Sequence, residues 1–151
     1  MKVTKKAIEN FFEPRKMAIA GVSRNPKKFG HVLFKELSEK GIEILPINPK
    51  TEEIKGVKCY KSVAELPADI KSILIVTPKE ETDAILREAI NKGIPNIWVQ
   101  QMSETEETMK IAEEYQVEII YKKCAFMFAE PIKSFHKFHR TLVKLFGGMP
   151  K

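Results

Sequence analysis

Five short, nearly unbroken apolar runs punctuate this chain, at 16–21, 42–47, 71–76, 96–100 and 117–122, and the segments between them carry apolar residues at helical spacing. An apolar run without alternation is what a strand shows when both of its faces are covered, as in a parallel sheet. Parallel strands cannot be joined by a tight hairpin, so each connection must cross over, and helices of this length supply the crossover. Such crossovers are right-handed. The pattern therefore predicts an α/β fold built on a single doubly wound, parallel, five-stranded sheet. The 151 residues suit one domain with one substantial core.

Local signals place the elements. Thr4 caps a short first helix with Ile8, Phe11 and Phe12 on its apolar side and Pro14 just past its end. The strand at 16–21 leads to a helix over about 28–40, with Val32, Leu33, Phe34 and Leu37 facing inward and Gly41 at the left-handed C-cap position. The second strand stops at Asn48-Pro49. Gly56 lies in a loop before a turn of extended chain at 57–60, and Ser62 caps a short helix ending near Leu66-Pro67. Thr77-Pro78 stops the third strand. Glu80 or Thr82 then begins a helix through Ile85, Leu86, Ala89 and Ile90, closed by Gly93. Ser103, with Glu106 three positions on, reads as a capping box for a helix over 104–115. Trp98, in the fourth strand, is assigned to the core.

In doubly wound sheets the ligand lies across the carboxyl ends of the strands. Four polar loops fall there: Gly21-Val22-Ser23, Asn48-Pro49-Lys50, Thr77-Pro78 and Gln100-Gln101. Gly21 permits a tight turn and Ser23 can donate to an anion. The helix that follows offers backbone N–H groups and its positive dipole end to phosphate. Lys27 and Lys28 stand where helices favour acids, and a bound phosphate gives them a reason. Gly30 comes too late for the G-x-G-x-x-G spacing. A site of the NAD type would place an acid near the end of the second strand for the ribose hydroxyls. Lys50 stands there instead, suited to an extra phosphate on the nucleotide. Asn48-Pro49 is also ordinary turn chemistry, and Thr77-Pro78 and Gln100-Gln101 suit simple strand endings.

Other chemistries find little support. His31, His136 and His139 fall in no triad order and in no HxxxH or HExxH pattern. Cys59 and Cys124 fit neither a disulfide framework nor a CxxC site, and Cys124 reads as a small buried residue rather than a nucleophile. No catalytic residue and no metal ligand is assigned. The net charge of +6 favours anionic partners, yet aromatic and basic residues do not alternate on any expected sheet face, so nucleic acid is not expected. No run has the length of a membrane span and the first residues lack a signal-peptide layout, so a cytoplasmic protein is expected. The segment over 131–151 carries Ile132, Phe135, Phe138, Leu142, Leu145 and Phe146 at helical spacing among Lys133, Lys137, Arg140 and Lys144. It is expected to form a basic amphipathic helix, packed on the same domain or at a dimer interface. A surface helix for membranes or a partner is the alternative.

Several of these segments together resemble the CoA-binding protein family, small Rossmann-like domains related to the N-terminal domain of the succinyl-CoA synthetase α subunit. The resemblance rests on Ile19-Ala20-Gly21-Val22-Ser23 with Gly30, Leu45-Pro46-Ile47-Asn48-Pro49-Lys50, Gly56, Ile97-Trp98-Val99-Gln100 and Cys124, and spans roughly 12–128. It implies that Gly21, Val22, Ser23, Arg24 and Asn25 hold the CoA phosphates and that Lys50 helps bind the nucleotide. It further implies that Thr77, Pro78, Val99 and Gln100 line the pantetheine path. Lys28, Gly30, Asn48 and Pro49 complete the candidate site. The phosphorylated histidine of the synthetase belongs to a second domain with no counterpart here, so ligase activity is not implied.

These readings converge on a stand-alone binding domain for coenzyme A or acyl-CoA over 1–130, followed by the basic segment over 131–151 and able to form a homodimer. Two alternatives stand beside it: an NADP-dependent oxidoreductase, for which Lys50 would suit a 2′-phosphate, and a regulatory or interaction module that uses the tail.

Overall fold

In the computed structural model, residues 2–129 are described, and the expected C-terminal amphipathic helix lies outside them. The elements run α1 (Lys5–Phe12), β1 (Lys16–Ala20), α2 (Phe29–Glu39), β2 (Glu43–Ile47), β3 (Glu53–Ile54), β4 (Val57–Lys58), a 3-10 turn (Val63–Glu65), β5 (Ser72–Ile75), α3 (Lys79–Lys92), β6 (Asn96–Gln100), α4 (Glu106–Glu114), β7 (Ile119–Lys123) and α5 (Ala125–Phe128). Five strands form one parallel sheet in the order β2-β1-β5-β6-β7. The chain winds outward from β1 in both directions, and the doubly wound α/β architecture follows.

Successive side chains on a strand point to opposite faces, so each strand feeds two cores. Met17 and Ile19 of β1, Leu74 of β5 and Trp98 of β6 join α1, α2 and α5 on one face. Ala18, Ala20, Ile73, Ile75, Ile97 and Val99 face Leu86 of α3 and Ile111 of α4 on the other. Trp98 is the hub of the first face. Phe11 and Phe12 meet its ring edge-on, with centroids 5.1 and 5.7 Å away, and its Nε1 donates to Lys123 O at 2.9 Å. Phe128 approaches the same ring at 6.0 Å, so α5 closes the aromatic cluster.

The seat of α2 depends on two glycines. Gly21 has φ +102°, and a Cβ there would come within 2.5 Å of Val76 O at the end of β5. A Cβ on Gly30 would collide with Gly21 O. The first turn of α2 therefore rests directly on the backbone that ends β1. The pair has the close-packing role of the last glycine in a dinucleotide fingerprint, displaced along the chain because the loop between them is longer.

Several local expectations are revised. Thr4 does cap α1, its Oγ1 accepting from Ala7 N at 3.1 Å. The capping box of α4 is Thr105 with Thr108 rather than Ser103 with Glu106; Ser103 is buried, and its carbonyl accepts from Thr82 Oγ1 at 2.8 Å. Thr82 lies inside α3, which starts at Lys79 after Pro78. Val32 is half-buried, and Gly30 and His31 take inward positions instead. The stretch around Gly56 is an antiparallel hairpin of β3 and β4 whose central residues, Lys55 and Gly56, both have positive φ, +51° and +79°. That geometry fits a tight two-residue hairpin turn. Tyr60 then returns to the sheet, donating its N–H to Pro46 O at 2.8 Å.

Two measurements check this account. Gly30→Ala should lower unfolding free energy by about 1–3 kcal/mol in denaturant melts, because backbone must yield to the added methyl. Burial, with the Glu53 carboxylate adding to it, holds the Cys59 thiol above its usual pKa. In a Cys124→Ser background, Cys59 should label slowly with a disulfide reagent when folded and rapidly once denaturant unfolds the chain.

Candidate functional site

Strand order reverses at β1, because the chain moves first to β2 on one side and later to β5 on the other. The diverging loops leave a crevice at the carboxyl edge, the place where open α/β sheets bind ligands. A cleft of about 690 Å³ opens there, floored by Ala20, Gly21 and Ile47. An adjoining hollow of about 540 Å³ is lined by Ser23, Arg24, Asn25, Asn48 and Lys50. Ser23, Asn48 and Lys50 belong to both walls, so the two spaces share a ridge.

The loop after β1 is shaped by its own side chains. Ser23 Oγ accepts from Asn25 N and Asn25 Oδ1 from Lys27 N, each at 3.0 Å. Lys28 N donates to Asn25 O at 3.0 Å and starts α2, whose first turn carries no acid. Among the described residues, the backbone N–H groups of Val22, Ser23 and Arg24 donate to no acceptor. A run of free N–H groups beside a helix start is an anion-binding arrangement.

Asn48 joins this loop to the one after β2. Its Nδ2 donates to Val22 O at 2.8 Å, its Oδ1 accepts from Lys50 N at 2.8 Å, and its own N–H donates to Tyr60 O at 2.9 Å. The side-chain amide thus braces the ridge, and Lys50 is left exposed at its crest. His31 braces the loop from below. Its Nδ1 lies 2.7 Å from Ser23 O, and a carbonyl only accepts, so the proton sits on Nδ1.

The cleft is electrically polarised. Lys28, Lys50 and Lys61, from the loops after β1, β2 and β4, line it together with Glu80, Glu81 and Glu88 of α3. None of the six takes part in the ion pairs found among the described residues, which join Lys16 to Glu43 and Asp69 and Arg87 to Glu107. The lining also has apolar residues, Ile47, Pro49, Val63, Pro78, Ala84 and Ile85.

The structure thus brings Gly21, Val22, Ser23, Lys28, Asn48, Pro49, Lys50, Thr77 and Pro78 to one cleft, with Arg24 and Asn25 in the adjoining hollow. Gly30 lies behind the loop, packed on Gly21. Val99 and Gln100 are buried and line neither space; Gln100 Oε1 accepts from Ala125 N at 3.0 Å and ties β6 to α5. Thr77 does double duty, since its hydroxyl, 2.9 Å from that of Thr82, links the edge of the cleft to α3. The wall contributed by Lys61, Ser62 and Val63, and the α3 face of Glu80, Glu81, Ala84, Ile85 and Glu88, were not marked as binding residues by sequence. Helical spacing did put Glu81, Ile85 and Glu88 on one side of α3, but Ile85 reads equally well as core. Cys124 is buried away from both spaces, and among the described residues no group of three His, Cys, Asp or Glu side chains could hold a metal. No helix among the described residues is long and apolar enough to cross a membrane.

Comparison with known proteins matches residues 15–129 to the CoA binding domain family. The α subunit of an ADP-forming acetate–CoA ligase II from Pyrococcus furiosus is 35% identical over 128 residues, which are 78% of this chain and 28% of that subunit. An ADP-forming acetate–CoA ligase from Methanocaldococcus jannaschii is 35% identical over 119 residues, 74% of this chain and 17% of the ligase. The chain therefore spans less than a third of either enzyme. A solved structure of a conserved hypothetical protein from Pyrococcus furiosus superposes with a TM-score of 0.74 at 39% identity, covering 76% of this chain and 99% of that one. With the parallel sheet, the glycine-seated loop and the polarised cleft on the same segment, this chain belongs to the CoA-binding domain family.

Proposed function

We propose that the chain binds coenzyme A or an acyl-CoA as a stand-alone domain with no catalytic step of its own. The observation that carries this reading is the ridge between the two hollows. There the free N–H groups of Val22, Ser23 and Arg24 lie on the loop beside the exposed Lys50, with Asn48 holding the two loops in register. A pyrophosphate fits the N–H run at the start of α2, where the helix dipole favours an anion. Lys50 is the cation for the ribose phosphate. Lys28 and Lys61 add positive potential along the same side of the cleft. The residues present suit the group: the close contact of Gly30 with Gly21 seats α2 on the end of β1, and the loop between them carries the free N–H groups.

Family membership supports the choice of CoA over other phosphate-rich nucleotides. The ligases that share this segment extend far beyond it, so their reaction is not carried over.

Calorimetric titration of the purified protein with CoA, acetyl-CoA, NADPH and NAD tests the reading. CoA should bind at micromolar concentrations or tighter and NAD should give no heat. NADPH binding tighter than CoA would replace the proposal with a nicotinamide site. Lys50→Glu should weaken CoA binding about tenfold or more, since it exchanges a charge-assisted contact for repulsion. Dephospho-CoA, which lacks the 3′-phosphate, should lose a similar factor against wild type and much less against Lys50→Glu. Equal loss in both proteins would place the 3′-phosphate elsewhere.

A further inference from the structure

The acidic residues of the cleft have no role in holding phosphate, and they share its lining with the basic ones. Resting on the CoA reading above, we propose that Glu81 and Glu88 of α3 read the base of the nucleotide, accepting hydrogen bonds from the 6-amino group of adenine. The ridge dictates the arrangement. Its three residues, Ser23, Asn48 and Lys50, separate the hollow of Arg24 and Asn25 from the larger cleft. A ribose whose 3′-phosphate meets Lys50 sits on that ridge. Its 5′ arm then leads to the pyrophosphate over the loop. The base, attached directly to the same ribose, is assigned to the larger cleft, which also borders the ridge. That cleft supplies the apolar surfaces a flat ring needs: Pro49 and Pro78, Val63 and Ile85.

The carboxylates line the same cleft from α3. Residues 81, 85 and 88 share one helix face, so Glu81 and Glu88 flank Ile85 about a turn to either side. Acids at the first turn of a helix suit its dipole, which accounts for Glu80 and would account for Glu81. Glu88 lies well past that turn. Its i+4 neighbour, Lys92, is the natural ion-pair partner, yet Lys92 Nζ donates instead to Ala64 O at 3.1 Å. A carboxylate accepts only. It therefore favours the amino group of adenine and repels the 6-oxo group of hypoxanthine or guanine, a discrimination by repulsion as well as attraction.

The test compares CoA with its 6-oxo analogue, desamino-CoA, by calorimetry on wild type and on Glu81→Met/Glu88→Met, two exposed positions whose change leaves the core untouched. Wild type should prefer CoA by about tenfold, the scale of a charge-assisted hydrogen bond replaced by repulsion. In the double variant the preference should fall to about twofold or less. The dependence on the 3′-phosphate should remain, showing that the phosphate side of the site is intact. Equal binding of the two ligands to wild type overturns the inference, as does a tenfold preference that survives in the variant. If 4′-phosphopantetheine, which lacks the base, loses as much affinity as CoA in the variant, the carboxylates face the pantetheine amides and the inference is again overturned. Absence of any CoA binding to wild type would instead overturn the parent reading and this inference with it.

Discussion

Gly21 O and the Cα of Gly30 meet where no side chain can stand between them, and the rest of the site depends on that contact. It brings the first turn of α2 down onto the end of β1. It also leaves Gly21 pressed against Val76 at the end of β5. Three elements are thereby locked at the point where the sheet reverses direction. Only then does the intervening loop stand proud at the carboxyl edge with unpaired N–H groups on Val22, Ser23 and Arg24. A chain with a methyl group at either glycine would have to move backbone, and the loop would move with it.

Around this anchor the neighbouring loops are tied together mainly by side chains bonded to backbone. Asn48 links the loops after β1 and β2, His31 holds the first loop from α2, and Thr77, Thr82 and Ser103 join those after β5 and β6. Each bond is modest by itself, roughly 1 kcal/mol net. Their effect is geometric, because they fix loops that strand pairing no longer controls. The cleft is consequently shaped in advance of any ligand. Its basic residues come from the loops after β1, β2 and β4 and its acidic ones from α3, so its charge is unevenly distributed.

Much of this was legible in the residues. The unbroken apolar runs predicted the parallel sheet, and Thr4, Gly41 and Gly93 marked helix ends by local chemistry alone. Gly21, Ser23 and Lys50 stood out because their residue types are wrong for an ordinary turn in an ordinary place. Legibility failed where a residue's partner is distant in sequence. Ser103 and Glu106 have the spacing of a capping box, but the helix is capped by Thr105, held by Asp83, whose carboxylate accepts from the hydroxyls of both Thr105 and Thr108 at 2.8 Å. Tertiary bonding to α3 moved the helix start. Gln100 looked like an exposed strand ending, yet it is needed to hold α5.

The sequence by itself determined the α/β class, the edge of the sheet where the cleft opens and the basic character of the first two loops. Those properties follow from periodicity and from residue types within a few positions of one another, which is all that local chemistry can specify. Only the tertiary structure decided that the Gly56 hairpin returns the chain so that Lys61, Ser62 and Val63 reach the cleft. Only it brought the carboxylates of α3 into the same cleft as Lys50. A wall made by elements far apart in the chain exists when packing has brought them together, and no local pattern records which residues will face each other.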